Sequence, residues 1–248
     1  MNYQLSVIIP AYNEAKTLSS IVENLCLKLN ALHFEIIIVD DCSSDHTAII
    51  CSQLMDQYKN IRLFRHQTNK GKTEALKTGI RNCTGEIIVI QDADLEYNPS
   101  DIPRIIEPIL ADQADIVYGS RFIDPEKKNV FMRKSKIANR FLTFTSNLFT
   151  RYKFTDVETC YKALSSAVIK NMIITSQRFG FEIEVTAKIS KLKLRVREIP
   201  ISYCCRSYSE GKKIGFKDAL QAFYYIVKYN LFTSLKDSYT TIPDLSGK

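Results

Sequence analysis

Eight glycines and seven prolines in 248 residues are too few for a collagen-like chain or a low-complexity tract. No repeat occurs at solenoid or propeller spacing. No apolar run approaches the roughly 20 residues of a spanning helix. The longest C-terminal candidate, 222–227, is closed in by Lys217, Asp218 and Lys228. Residues 1–20 lack the basic start and long apolar stretch of a signal peptide. The expectation is a chain that neither spans a membrane nor is exported. Seven cysteines, an odd number, include no C-x-x-C and no zinc-ligand spacing, and His33, His46 and His66 do not cluster with them. Reduced, mostly buried cytosolic thiols follow. G-x-x-x-x-G-K-[ST] is absent, and no G-x-G-x-x-G follows the first apolar run. P-loop nucleoside triphosphatases and dinucleotide dehydrogenases therefore fit poorly.

What is present is a soluble composition, with 45% hydrophobic and 25% charged residues. The net charge of +7 is unevenly spread. Residues 1–120 hold 10 Lys+Arg against 16 Asp+Glu, a net of −6. Residues 121–153 hold 9 against 2 (+7), and residues 191–213 hold 7 against 2 (+5). An acidic first half followed by two basic segments predicts a cationic surface for an anionic partner, or simply a solvated basic face.

The first 120 residues alternate between two patterns. Segments 5–10, 34–40, 61–65, 86–91 and 115–119 read as strands. Several are continuous apolar runs, as in a parallel sheet buried on both faces. Segments 14–32, 45–58, 73–83 and 102–111 read as amphipathic helices, with Ser44 or Asp45 capping the second and Ser100 the fourth. The alternation predicts βαβ units and an open parallel α/β sheet. Beyond Arg121, helices are expected over 133–150, 165–175, 180–190 and 214–235. An edge strand is expected over 194–203, interrupted by Pro200. Residues 236–248 read as a polar, frayed tail. No linker separates the halves, so residues 1–235 read as one domain.

Ligands of open parallel sheets bind beyond the carboxyl ends of the strands. Here those ends carry Pro10-Ala11-Tyr12-Asn13-Glu14, Asp40-Asp41-Cys42-Ser43-Ser44-Asp45, Asp92-Ala93-Asp94-Leu95-Glu96 and Gly119-Ser120-Arg121. Two aspartates after the buried run 87–90 would repel, and a divalent cation relieves that repulsion. Their hard oxygens suit Mg²⁺ or Mn²⁺, with Glu96 as a third ligand; two exposed turn aspartates are the plain alternative. Asn69-Lys70-Gly71-Lys72 precedes a helix. It either approaches a phosphate through backbone or lysines, or merely starts the helix.

These motifs, in this order, resemble the nucleotide-sugar half of family-2 inverting glycosyltransferases. The second half resembles the polyprenyl-phosphate subgroup, the dolichyl- and undecaprenyl-phosphate mannosyl- and glucosyltransferases. The resemblance runs through Tyr118-Gly119-Ser120-Arg121, Arg133 with Asn139, the run from Asp156 to Ala163, the run from Glu198 to Tyr203, Arg206, and Gly211-Lys212-Lys213-Ile214. It covers about residues 4–225. It implies a Rossmann-like, GT-A type sheet (1–120) followed by acceptor-side helices (121–235). It implies Pro10, Tyr12, Glu14 and Asp41 around base and ribose, with Asp40 beside them, and Lys72 near the donor phosphates. Asp92 and Asp94, with Glu96, would hold the metal and diphosphate. Arg121 and Arg133 would hold the acceptor phosphate, and Arg206 and Lys213 would close over the substrates. Asp156 is either a base, a residue that orients an arginine, or half of a structural salt bridge.

A UDP- or GDP-hexose donor, a polyprenyl-phosphate acceptor and a divalent metal are thus expected. So is peripheral attachment to the cytoplasmic face of a membrane through 133–153 and 214–235. A phosphate acceptor is already an anion and needs positioning more than deprotonation. A saccharide or lipid hydroxyl acceptor is the alternative and would need a carboxylate base. A nucleotidyltransferase would show a Gly-rich signature near the first strand. A nucleic-acid binder leaves the acidic strand ends unexplained, so no nucleic-acid partner is expected.

Overall fold

The computed structural model describes residues 3–124, 133–205 and 216–243. The apolar runs form β1 (Leu5–Ala11), β2 (Phe34–Asp40), β3 (Ile61–Arg65) and β4 (Ile87–Ile90). They lie in the order β3-β2-β1-β4 and all run parallel, with Leu5 level with both Phe34 and Ile87. Every residue of β2 and β4 is buried, as continuous hydrophobic strands require. Helices α1 (Leu18–Lys28), α2 (Thr47–Gln57) and α3 (Lys72–Asn82) connect them, and α4 (Ile102–Leu110) follows β4. The apolar stripe of α1 buries Leu18, Ile21, Val22 and Leu25. α3 lies so close on β1 that a Cβ at Gly79 would collide with the Ile8 side chain.

The second half adds β5 (Ile116–Ser120), α5 (Arg133–Phe149), β6 (Lys162–Ser165), α6 (Ser166–Ile169), α7 (Phe181–Ile189), β7 (Val196–Pro200), α8 (Phe216–Leu231) and α9 (Leu235–Ser238). The described strands make one seven-stranded sheet, β3-β2-β1-β4-β6-β5-β7. β6 runs antiparallel to both of its neighbours. The sheet is therefore mixed, and the insertion of β6 between β4 and β5 was not foreseen. β6 is only four residues long and begins with Lys162, a charge that hides a fully buried strand. The edge position of the Pro200 strand is as expected.

The helix expected over 165–175 is a single turn, because the chain must bend to bring the Thr175 and Ser176 N–H groups onto the Glu184 carboxylate. From Phe232 to Pro243 the chain is ordered rather than frayed, and residues 244–248 lie outside the described residues. Ser234 and Asp237 form a reciprocal capping box on α9, and Tyr239 is buried and bridged to Met172. Ser100 does not cap α4; Asn98 caps the single 3-10 turn, Pro99–Asp101, that leads into it, its side chain accepting from the Ser100 N–H.

Candidate active site

Two loops at the carboxyl edge of the sheet are stitched to each other. The Asn13 N–H donates to Ser43 Oγ (3.0 Å), and the Asn13 side chain accepts from the Ser44 N–H (2.9 Å). The Glu14 N–H donates to Thr47 Oγ1 at 2.9 Å. Asn13 adopts a left-handed φ of 57°, a conformation asparagine tolerates better than most residues. Tyr12 and Glu14 are thereby fixed at the end of β1.

The adjacent aspartates diverge. Asp40 is fully buried; it accepts from the Ser43 N–H (3.0 Å) and pairs with Arg65 (3.0 Å). It does not line the cleft, so its expected place beside the nucleotide is corrected to a structural one: the last residue of a strand points where the pleat sends it. Asp41, one residue on, does line the cleft. It accepts from the N–H groups of Lys70 (2.9 Å) and Gly71 (2.7 Å), and lies 2.6 Å from His66 Nδ1. This pins the turn before α3, where Gly71 at φ 88° meets the Arg178 backbone.

Lys72, the next residue, reaches across the sheet edge. Its Nζ is 2.8 Å from Asp92 and 3.0 Å from Glu182, which lies in the first turn of α7. Burial opposes its charge, but Asp92, Cys160 and Glu182 more than offset this and hold its pKa well above the lysine value. Asp94 accepts from the Glu96 N–H at 3.2 Å, and Glu96 accepts from the Tyr203 hydroxyl at 2.8 Å. Among the described residues, no three His, Cys, Asp or Glu side chains close on a common point for an ion. The expected triplet of Asp92, Asp94 and Glu96 is thus not gathered. A donor set of one or two carboxylates still fits Mg²⁺ or Mn²⁺, because such ions take their remaining oxygens from substrate phosphates and water.

On the opposite wall, Arg121 follows β5. Its Nε and Nη2 donate to the two oxygens of Asp156 at 2.6 and 2.8 Å. This is a bidentate fork of the strong kind. Asp156 has no exposed surface, accepts also from Asn139 (3.1 Å), and does not line the cleft. This geometry fits both orienting an arginine and a structural salt bridge, and it keeps Asp156 off the cleft where a base would act. The Arg121 guanidinium lies over the Tyr203 ring at 4.9 Å. Burial opposes its charge, and Asp156 overrides this and raises its pKa further.

Pro10, Tyr12, Glu14, Asp41, Lys72, Asp92, Asp94, Glu96 and Arg121 all line one cleft of about 900 Å³. That volume suits a drug-sized ligand or larger. The Arg133 side chain, and Arg206 and Lys213, lie outside the described residues. Glu158 and Glu182 also line the cleft and were not anticipated. Burial, with the Glu182 charge behind it, pushes the Glu158 carboxyl up to about 7. From α5 and α8 the cleft takes Ala138, Leu142, Ala219 and Ala222.

The sequence model of the family described as Glycosyl transferase family 2 matches residues 6–173. A Methanococcus voltae protein named UDP-N-acetylglucosamine–dolichyl-phosphate N-acetylglucosaminyltransferase is 32% identical, over 85% of this chain and 91% of its own. The dolichol-phosphate mannosyltransferase of Pyrococcus furiosus is 28% identical, over 86% of this chain and 60% of its own. Among solved structures, glucosyl-3-phosphoglycerate synthase from Mycobacterium tuberculosis, in complex with Mn²⁺, UDP and glucosyl-3-phosphoglycerate, superposes with a TM-score of 0.68 at 18% identity. The superposition covers 92% of this chain and 80% of that one. It establishes a shared GT-A fold.

Proposed function

The chain belongs to glycosyl transferase family 2, and from that footing we propose that it moves a sugar from a nucleotide donor to the phosphate of a polyprenyl lipid. One observation carries this reading. Arg121, held in the Asp156 fork, stands in the same cleft as Asp92 and Asp94, and the helices bordering that cleft are apolar on their outer faces. The names of the two archaeal relatives, both acting on dolichyl or dolichol phosphate, support it.

In this reading Pro10, Tyr12, Glu14 and Asp41 face the base and ribose, and Lys72 lies on the diphosphate side. Asp92 and Asp94 would hold Mg²⁺ or Mn²⁺, which neutralises charge developing on the departing diphosphate. A lipid-phosphate oxygen attacks the anomeric carbon. The bond from that carbon to the diphosphate breaks, its electron pair leaves with the nucleoside diphosphate, and a sugar phosphodiester of the lipid remains. Arg121 grips the attacking phosphate, and Asp156 keeps the guanidinium plane fixed, so the reaction begins from an oriented pair. Arg133, Arg206 and Lys213 complete the phosphate-binding set. UDP-hexoses, UDP-N-acetylhexosamines and GDP-hexoses are the donor classes in question.

The acceptor's tail needs an apolar approach. On α5, Ile137, Phe141, Phe144 and Leu148 recur at helical spacing and are 57–64% exposed. On α8, Leu220, Phe223, Tyr224 and Leu231 are exposed beside them, and the Phe141 and Phe223 rings stack at 6.2 Å. No helix among the described residues is long and apolar enough to cross a membrane. These faces, together with the basic residues of the 121–153 segment to which α5 belongs, would rest on an anionic bilayer surface. Seven unbridged cysteines favour its cytoplasmic side.

The test is to incubate the purified protein and Mg²⁺ or Mn²⁺ with UDP- and GDP-sugars, with and without a short-chain polyprenyl phosphate, and to measure nucleoside diphosphate. Release that requires the lipid phosphate is expected. Release only with saccharide or lipid alcohol would overturn the acceptor assignment, and none with any pair would overturn the whole reading.

A further inference from the structure

Glu158 has no part in the transfer as described so far. It lines the cleft from the loop between Asp156 and β6. Its Oε1 is shut off from solvent and has no hydrogen-bond partner. A carboxylate oxygen in that position would leave charge uncompensated in a low-dielectric wall, far worse than an unpaired neutral carbonyl. A protonated carboxyl avoids this. Oε1 is then the carbonyl oxygen, and the other oxygen carries the hydroxyl.

Four charged groups act on Glu158; the two acids favour its neutral form, the two cations oppose it, and burial tips the balance to neutral. They are Glu182 from α7, Lys162 from β6, Arg121 beyond β5, and Asp156 from its own loop. Neither cation compensates it by a hydrogen bond to Oε1. Lys162 donates to the carbonyls of Val157 (3.0 Å) and Thr159, and Arg121 is forked onto Asp156. Glu158 is thus an acid at the cleft wall whose two neighbouring cations are engaged with other groups.

A neutral carboxyl is a hydrogen-bond donor, and phosphate oxygens accept. We infer that Glu158 donates a hydrogen bond to the phosphate of the lipid acceptor, beside Arg121, and so helps to seat the attacking group. This rests on the lipid-phosphate reading above. Once ionised, Glu158 would repel the same phosphate, so acceptor binding weakens as pH rises through its titration, while nucleotide binding does not follow.

The experiment measures, by calorimetry, the dissociation constants of a short-chain polyprenyl phosphate and of UDP separately, across about pH 6 to about pH 8.5, for the unaltered protein, Glu158→Ala and Glu158→Gln. At the acid end, Glu158→Ala is expected to weaken lipid-phosphate binding by about tenfold and to change UDP binding by less than about twofold. Glu158→Gln, neutral and still a donor, is expected to recover most of that loss. Its affinity is expected to fall with pH by about tenfold less than that of the unaltered protein over the whole range. A Gln variant no better than Ala, an unchanged pH slope, or an equal loss of UDP affinity would each overturn the inference alone. If the unaltered protein binds UDP but no lipid phosphate, the acceptor reading falls and this inference with it. Should Glu158→Ala fail to fold by circular dichroism, the pH slope of Glu158→Gln decides.

Discussion

At Arg121 the protein holds a guanidinium side chain that is only 9% exposed against a carboxylate with no exposure at all. Removing Asp156 takes the bidentate carboxylate away from a buried guanidinium. Asp156→Ala is therefore expected to destabilise the fold by about 3–5 kcal/mol, read from urea unfolding. Glu158 makes the opposite case. Its pKa is raised on folding, mainly by burial and then by Glu182. Its contribution to stability is complete at low pH and is lost as pH rises from the ordinary carboxylate range through about 7. Glu158→Gln is accordingly expected to have a higher Tm than the unaltered protein near pH 8 and a similar one near pH 4, by thermal melts at both values. The cleft residues most legible in the sequence were those that end buried apolar runs, because a parallel sheet gathers its strand ends at one edge. Asp40 shows the limit: adjacent to Asp41 and of the same type, it turns the other way. Glu182 and Glu158 were illegible, since nothing local tells a helix-start glutamate or a loop glutamate that it will face Lys72 or Arg121.

Among the elements, α5 and α8 differ from the helices that cover the parallel strands. Their outer faces carry aromatic and aliphatic side chains that nothing in the described structure covers. Phe144→Glu combined with Leu148→Glu is expected to lower vesicle binding by about tenfold or more. The Tm should barely move, because both side chains are more than 60% exposed. Sedimentation with anionic liposomes and a thermal melt read the two effects. α3 is the converse, a helix that needs the absence of a side chain. Gly79→Ala is expected to destabilise by about 1–3 kcal/mol, since its methyl meets Ile8 in the middle of β1. β1, β2 and β4 were readable to within a residue or two because both of their faces are buried. β6 was not, because four residues are too short for periodicity and Lys162 breaks the apolar run. The cap of α9 was present as Ser-x-x-Asp at 234–237 and passed over within a polar stretch.

Over the whole molecule, charge is segregated, with a net −6 over residues 1–120 and +7 over 121–153. A molecule so polarised approaches an anionic surface basic side first. Binding to anionic vesicles is expected to weaken severalfold between about 50 and 500 mM salt, as the screening length shrinks from beyond 10 Å to a few ångströms. Binding to neutral vesicles would change little. The placement of β6 also has a consequence for how the chain is made. β5 leaves the ribosome before either of the strands that will flank it, since β6 and β7 both come later. The four parallel strands can pair early, but β4 then presents an open edge until β6 arrives to join the two parts of the sheet. A nascent chain halted between residues 120 and 162 carries two strands awaiting one partner. Its exposure to misassembly peaks there, while β4 and β5 both lack the strand that will join them.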